Sequence, residues 1–529
     1  MKKLSLYFIS SIVALTSCNK MIDVYPSSNL YDQAFYQNTS DVEKALTGCY
    51  NGMQKPLYNE WEVTELRSDN TLMGSPTSGS SDNREFSDLD MFMPATSHSG
   101  MYDYWLNTYY NIYNVNKVMS NLEVNYHQED GSLTYDSISI PVTLQDRQRL
   151  SSQASFIRAY HYFNLVRLFG GVFLIDKPVS PAEAKYINRS SVDEIYKLII
   201  ADLQNTIDNG LTANFNAINP NDFGRANVWA AKAMMAKVYL TLNRKTEAIA
   251  LLQDVISNSG YGLQATYSNV FSTNNEMNNE ILFAVRYKSG KVGLGSPFAN
   301  LFAPSGSGQA VVNGDGKGLN YPSKELFRKT QGGYDTLVDK RDEFNMNIYF
   351  GKIYVKKYIS NLIYENDGEN DWPVIRYADV LLMKAEADGN TTASLAFINL
   401  VRVRAGLAAL TATAINTNAL FEKALATERR WEFAFENQRW FDILRFRTTM
   451  SSVSASTDAF PNLVIQGAEY VMKKHFTNMY SKIYMSFSVL PITPAELQSN
   501  ANPERFLLPI PQYEIDTNTF ITIQQNPSY

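Results

Sequence analysis

Two stretches of this chain set aromatic rings beside amides, carboxylates and guanidinium groups. The first holds Tyr58 and Trp61, then Asp69 and Asn70, then Arg84 and Phe86, then Tyr102. The second holds Asn320 and Tyr321, with Trp372 further on. Sugar rings have apolar C–H faces that stack on Trp and Tyr. Their hydroxyls need planar polar partners such as Asn, Asp and Arg. Rings of this kind in loops, with those groups alongside, point to non-catalytic sugar binding. The competing reading is an aromatic-rich core, which Trp105, Trp229, Trp431 and Trp440 suit better because they fall in predicted helices.

Other chemistries find less support. The four histidines (98, 127, 161 and 475) show no i, i+4 pair for a metal. Two acidic loops, 313–316 and 365–371, offer the hard oxygens that suit a structural Ca²⁺. Neither has the full loop spacing with a distal Glu, so a solvated turn is the expectation and no cofactor is. No G-x-S-x-G elbow occurs, and no G-x-G-x-x-G loop follows a predicted strand. A glycosidase needs two carboxylates at a set separation, which 53 acidic residues supply by accident. The formal charge is −6 with no basic run, which argues against nucleic acid.

The first residues read as targeting signal. Lys2 and Lys3 precede an apolar run from Leu4 to Leu15, too short for a helix of about 20 residues to span a bilayer. Leu15, Thr16, Ser17 and Cys18 then resemble a bacterial lipobox, in which the cysteine is acylated and becomes the new N-terminus. Several acyl chains anchor firmly, at about 0.8 kcal/mol per buried CH₂. Residues 1–17 are thus expected to be a signal peptide and 18–37 a lipidated tether. Cys49, the other cysteine, is expected as a small core residue.

Helices dominate the chain beyond the tether. Ser40 and Glu43 form a predicted capping box for a helix running to Met53. Residues 54–101 read as loop-rich, which places the first aromatic set on loops. Further helices are predicted over 102–123, 145–169 (stopped by Gly170 and Gly171) and from the Ser191/Glu194 capping box to Gly210. Helical hairpins are predicted at 225–258 and 374–405. In the first, Ala236, Tyr239, Ala248 and Ile249 fall where tetratricopeptide repeats place small and aromatic packing residues. Residues 286–372 turn to Gly, Ser, Asn and Tyr with short alternating pieces, the pattern of loops and strands inserted into a helical body.

Residues 428–447 (ERRWEFAFENQRWFDILRFR) are the most distinctive stretch. Trp431, Ala434 and Phe435 make an apolar stripe. Arg429/Glu432, Glu436/Arg439, Arg439/Asp442 and Asp442/Arg445 are spaced as i, i+3 ion pairs, worth about 0.2–0.5 kcal/mol each. Asn437 is the predicted helix break. As a string, the stretch resembles the hallmark of the SusD/RagB family. Residues 156–172 (FIRAYHYFNLVRLFGGV), 376–387 (RYADVLLMKAEA), 398–406 (INLVRVRAG), 508–511 (LPIP) and 525–529 (QNPSY) resemble other family segments in the family's order. Asp379 stands where Glu is common, and Asn437 where Gly often stands.

The resemblance implies a mostly α SusD-like fold, with tetratricopeptide-like hairpins, a loop-rich ligand face and few short strands. It implies an N-terminal region, 38–275, and a C-terminal region, 276–529, that carries the 286–372 insertion. It also implies a lipid-anchored, surface-exposed outer-membrane protein that binds oligosaccharide or polysaccharide. Such a protein acts as the lid of a SusC-like TonB-dependent importer. Two alternatives are the same architecture serving peptide import and a surface enzyme that degrades glycans.

Overall fold

The computed structural model describes residues 35–72, 81–323, 326, 333–451, 500 and 503–529. The signal peptide, Cys18 and most of the tether lie outside the described residues. Helix α1 (Thr39–Gly52) is capped by Asn38, whose side chain accepts from Ser40 N and Asp41 N. The predicted cap at Ser40 is therefore two residues late. Helix α2 (Gln54–Thr64) occupies part of what reads as loop. Pro56 sits in its first turn, where a missing N–H costs no hydrogen bond. After strand β1 (Thr71–Leu72) come α3 (Ser81–Asp90) and α4 (Ser99–Asn121). Much of the described part of 54–101 is thus helical, and Tyr58, Trp61, Arg84, Phe86 and Tyr102 all sit on helices.

A small hairpin of β2 (Val124–His127) and β3 (Ser132–Tyr135) leads to α5 (Leu144–Phe169). Helix α5 is buried along most of its length and packs on α6 (Val192–Asn209). The Ser191/Glu194 capping box opens α6 with both of its bonds formed. Arg158 and Asp202 tie α5 to α6 through two bonds of 2.8 Å. Helix α5 ends at Gly170, with φ +75°, and a side chain on Gly171 would meet Ser190 O at 2.5 Å. The two glycines thus turn the chain sharply where a neighbouring backbone passes.

Helices α7 (Val228–Thr241) and α8 (Lys245–Asn258) form the first expected helical hairpin. Strand β4 (Ile281–Val285) follows, then β5 (Tyr321–Pro322), β6 (Met346–Tyr349), β7 (Lys352–Val355) and β8 (Trp372–Arg376). Strands β4 and β8 pair antiparallel, with Val285 opposite Trp372, so one ladder closes the neck of the 286–372 insertion. The second helical hairpin, α9 (Tyr377–Asp388) and α10 (Thr392–Arg404), packs against the first. One hydrophobic cluster runs from Tyr36 to Ile523 and crosses the expected boundary at 275/276.

The 428–447 stretch departs from the predicted ladder. Helix α11 (Asn418–Glu432) stops before Ala434, and α12 (Arg439–Thr449) restarts after a break. Asn437 is left-handed there, as expected, with φ +58°, and so is Phe435 at +66°. Of the four i, i+3 pairs, Asp442/Arg445 forms, at 2.8 Å. The other charges are buried and reach distant elements. Glu432 meets Arg341 at 3.2 Å, Arg376 at 3.0 Å and Arg404 as well. Glu436 binds Lys357 at 2.5 Å and Arg376 at 2.8 Å. Arg429 joins Asp379 and Asp442, and Arg445 joins Glu386. Burial alone would raise Glu432, but Arg404, Arg376 and Arg341 hold its carboxyl well below the usual range.

A buried pair that loses one partner leaves an uncompensated charge. Arg439 holds Asp69 through bonds of 2.6 and 2.8 Å, and both are 2% exposed or less. Arg439→Ala should therefore lower unfolding free energy by about 3–5 kcal/mol in urea titrations. A loss of less than about 1 kcal/mol, as for an exposed pair, would contradict this.

Candidate functional site

Strands β1 and β5 unite the two stretches nominated from sequence. Thr71 lies opposite Pro322 and Leu72 opposite Tyr321. Ser323 N donates to Asn70 O at 2.7 Å, and Ser323 Oγ donates to Asp69 O at 3.1 Å. The joint is pinned from below by α11 and α12. Arg430 Nε donates to Asn70 Oδ1 at 2.9 Å, and Arg430 Nη2 to Asp69 O at 2.5 Å. Arg439 takes the Asp69 carboxylate.

Aromatic rings form the floor. Phe86 packs on Trp61 with centroids 5.4 Å apart, and Trp61 on Phe302 at 5.7 Å. Phe302 meets Phe298, Phe298 meets Trp372 at 4.5 Å, and Trp372 stacks on Tyr358 at 4.5 Å and 8°. The run links both candidate sets beneath the surface.

This placement corrects half of the sequence-derived site. Trp61, Asp69, Asn70, Asn320 and Trp372 are buried, at 2% exposure or less. A ring with no exposed face cannot stack on a sugar arriving from solvent, so Trp61 and Trp372 act in packing. Asp69 and Asn70 are spent on Arg439 and Arg430. Asn320 takes φ +55° before β5, a conformation Asn tolerates better than most residues. Five candidates do reach solvent. Tyr58 is 46% exposed, Arg84 is exposed, and Phe86, Tyr102 and Tyr321 are half-buried.

Sequence reading missed Tyr364, which is exposed and has Lys291 Nζ 3.8 Å from its ring centroid. It also missed Phe350, exposed at the β6–β7 turn with φ +45° beside Gly351 at +80°. Two adjacent left-handed residues suit a two-residue hairpin turn. Phe350-Gly351 between alternating strands was the available signal.

The acidic loops prove to be backbone braces. Asp315 Oδ1 accepts from the amides of Gly306, Gly308 and Gly316 at 2.8–3.2 Å. Asp367 Oδ2 accepts from Gly290 N and Lys291 N, Glu369 Oε2 from Ser289 N, and Asp371 Oδ1 from Tyr287 N. Alternate carboxylates thus extend the β4–β8 joint outward by side-chain bonds. Among the described residues, no group of three or more His, Cys, Asp or Glu is placed to hold a metal ion.

The chain matches the SusD family over residues 267–529 and a family described as starch-binding, associating with outer membrane, over residues 21–240. The chain belongs to the SusD/RagB family. Among SusD-like relatives, protein P25 of Formosa agariphila is 25% identical, with 93% of this chain and 97% of that one covered. A SusD-like protein of Bacteroides ovatus is 25% identical over 84% and 82% of the two chains.

Solved SusD-like structures share the fold. A laminarin-binding SusD-like protein has a TM-score of 0.67 at 22% identity, covering 93% of this chain and 100% of that one. Surface glycan-binding protein A from Bacteroides thetaiotaomicron, in complex with laminarihexaose, has 0.68 at 18%, covering 92% and 99%. The description of the family matched over residues 21–240 names starch binding and association with the outer membrane.

Beside Tyr58, burial pushes the Glu62 carboxyl up to about 8, against the bond from Asn59 and with help from Glu85 and Asp103. A carboxyl raised in the folded state favours folding while protonated. Its contribution is full below the unfolded value near 4.5 and is lost as pH rises to about 8. Urea midpoints should fall across that window in the parent protein and fall less in Glu62→Gln. Parallel pH profiles for the two would contradict the raised value.

Proposed function

We propose that this protein is a non-catalytic, cell-surface glycan-binding lipoprotein. In this reading it is anchored through Cys18 and forms the capture lid of a SusC-like TonB-dependent importer. The observation that carries the glycan reading is the joint at β1–β5. It joins the segment after α2, the helix that bears exposed Tyr58, to Tyr321 of the insertion, and Phe86 of α3 packs on Trp61 of α2. Exposed rings supply faces for pyranoses, and neighbouring guanidinium, ammonium and hydroxyl groups supply hydrogen bonds. Laminarin and laminarihexaose are the ligands named for two proteins of the same fold.

Affinity electrophoresis of residues 19–529 through gels containing laminarin, starch and other polysaccharides tests the reading. At least one polysaccharide should retard the protein with no release of reducing ends. Tyr58→Ala combined with Tyr364→Ala should weaken binding by about tenfold, or about 1.4 kcal/mol. Release of reducing ends, or binding to peptides alone, would overturn it. In cells, the parent protein should co-purify with a large barrel, and Cys18→Ser should leave the membrane fraction. Retention of Cys18→Ser there would sink the anchor assignment.

A further inference from the structure

A small cavity lies where α2, α5, α7, β8 and the break between α11 and α12 meet. It measures about 30 Å³. One water needs roughly 10–15 Å³ of such space, so there is room for one or two. The lining is not sealed, because Arg167, Val374 and Gln438 keep partial exposure.

Hydrogen bonds around this cavity do not balance. Asn437 is 3% exposed, and its Nδ2 donates to Glu60 Oε1 at 3.4 Å. Its Oδ1 has no partner. A buried carbonyl in that condition is costly, because it has given up water and gained nothing. Across the cavity, Arg167 donates through Nε to Phe163 O at 3.0 Å and through Nη2 to Asn164 Oδ1. Its Nη1 makes no hydrogen bond among the described residues, and the guanidinium forms no ion pair among them. The Phe163 and Phe441 rings hold it in place, with centroids 3.8 and 3.5 Å away. Lys237 Nζ reaches Gln438 Oε1 at 3.0 Å and Asp379 Oδ2 at 2.6 Å. An ammonium has three N–H bonds, so one is left over.

The two carboxylates of the lining are already spent. Glu60 Oε2 accepts from the Tyr160 hydroxyl at 3.0 Å and from Asn164 Nδ2 at 3.3 Å. Glu436 meets Lys357 and Arg376. The spare groups are therefore one acceptor, Asn437 Oδ1, and N–H donors on Arg167 and Lys237. A cation placed here would face two positive side chains. An anion would face the Asn437 carbonyl and two carboxyl groups. The volume excludes anything much larger than a water. Water alone both donates and accepts, which is what the spare groups require.

We propose that this cavity is a water-binding site, in which the water donates to Asn437 Oδ1 and accepts from Arg167 Nη1, with Lys237 as a further donor. Buried waters of this kind make about three hydrogen bonds to groups that would otherwise be unpaired, and they are part of the structure. This one joins α5 and α7 to the break that carries left-handed Asn437. It does so against Trp372, a member of the aromatic floor. The site is independent of what the ligand face binds.

A high-resolution crystal structure of the protein, grown with bromide in place of chloride, tests the proposal. Ordered density should fill the cavity within hydrogen-bond reach of Asn437 Oδ1 and Arg167 Nη1, with no anomalous signal from bromine. An empty cavity, in a map that shows other buried waters, would overturn the proposal. An anomalous bromine peak there would also overturn it, because the occupant would then be an anion. Density that contacts neither Asn437 Oδ1 nor Arg167 Nη1 would count against it equally.

Discussion

A web of buried charge underlies the architecture of this protein. Glu428, Glu432 and Glu436 project from α11 and the break after it toward Arg341, Arg376, Arg402, Arg404 and Lys357. Arg429, Arg439 and Arg445 project toward Asp379, Asp442, Asp69 and Glu386. Removing such ions from water is costly, and the cost is offset only if every partner arrives in good geometry. The partners come from α9, α10, the insertion and the segment after α2. The web is therefore satisfied only when all of these are in place, and it favours one arrangement of the helices over others of equal hydrophobicity.

That constraint reaches the candidate ligand face through two arginines. Arg430 and Arg439 grip Asn70 and Asp69, which places β1 where β5 can pair with it. The aromatic run from Phe86 to Tyr358 then fills the space between the α2–α3 region and the insertion. Exposed Tyr58 stands on α2, whose Trp61 belongs to that run. A site supported this way holds its geometry before ligand arrives, which lowers the cost of binding.

What could be read from sequence depended on distance along the chain. The two helical hairpins, the Ser191/Glu194 cap and the Asn437 break are local, and each appeared as expected. The insertion limits were legible because composition changes where β4 ends and β8 begins. The role of Asp69 was not legible, because its partner Arg439 lies 370 residues away. The i, i+3 spacing in 428–447 suggested a surface ladder because spacing does not reveal that both faces are covered. Trp61 and Trp372 looked like sugar platforms because ring type is visible in sequence and burial is not. Pro56 and the Ser- and Asn-rich stretch near it masked α2 and α3, whose stability comes from packing more than from propensity.

In the proposed reading, the recognisable stretch sets the fold and ligand contact falls to less recognisable segments. Hydrogen exchange measured with and without a bound polysaccharide tests that division most directly. New protection is predicted in residues 54–72, 81–102 and 286–372, with the amides of α11 and α12 unchanged. Protection confined to α11 and α12, or to the helical hairpins α7–α8 and α9–α10, would contradict it.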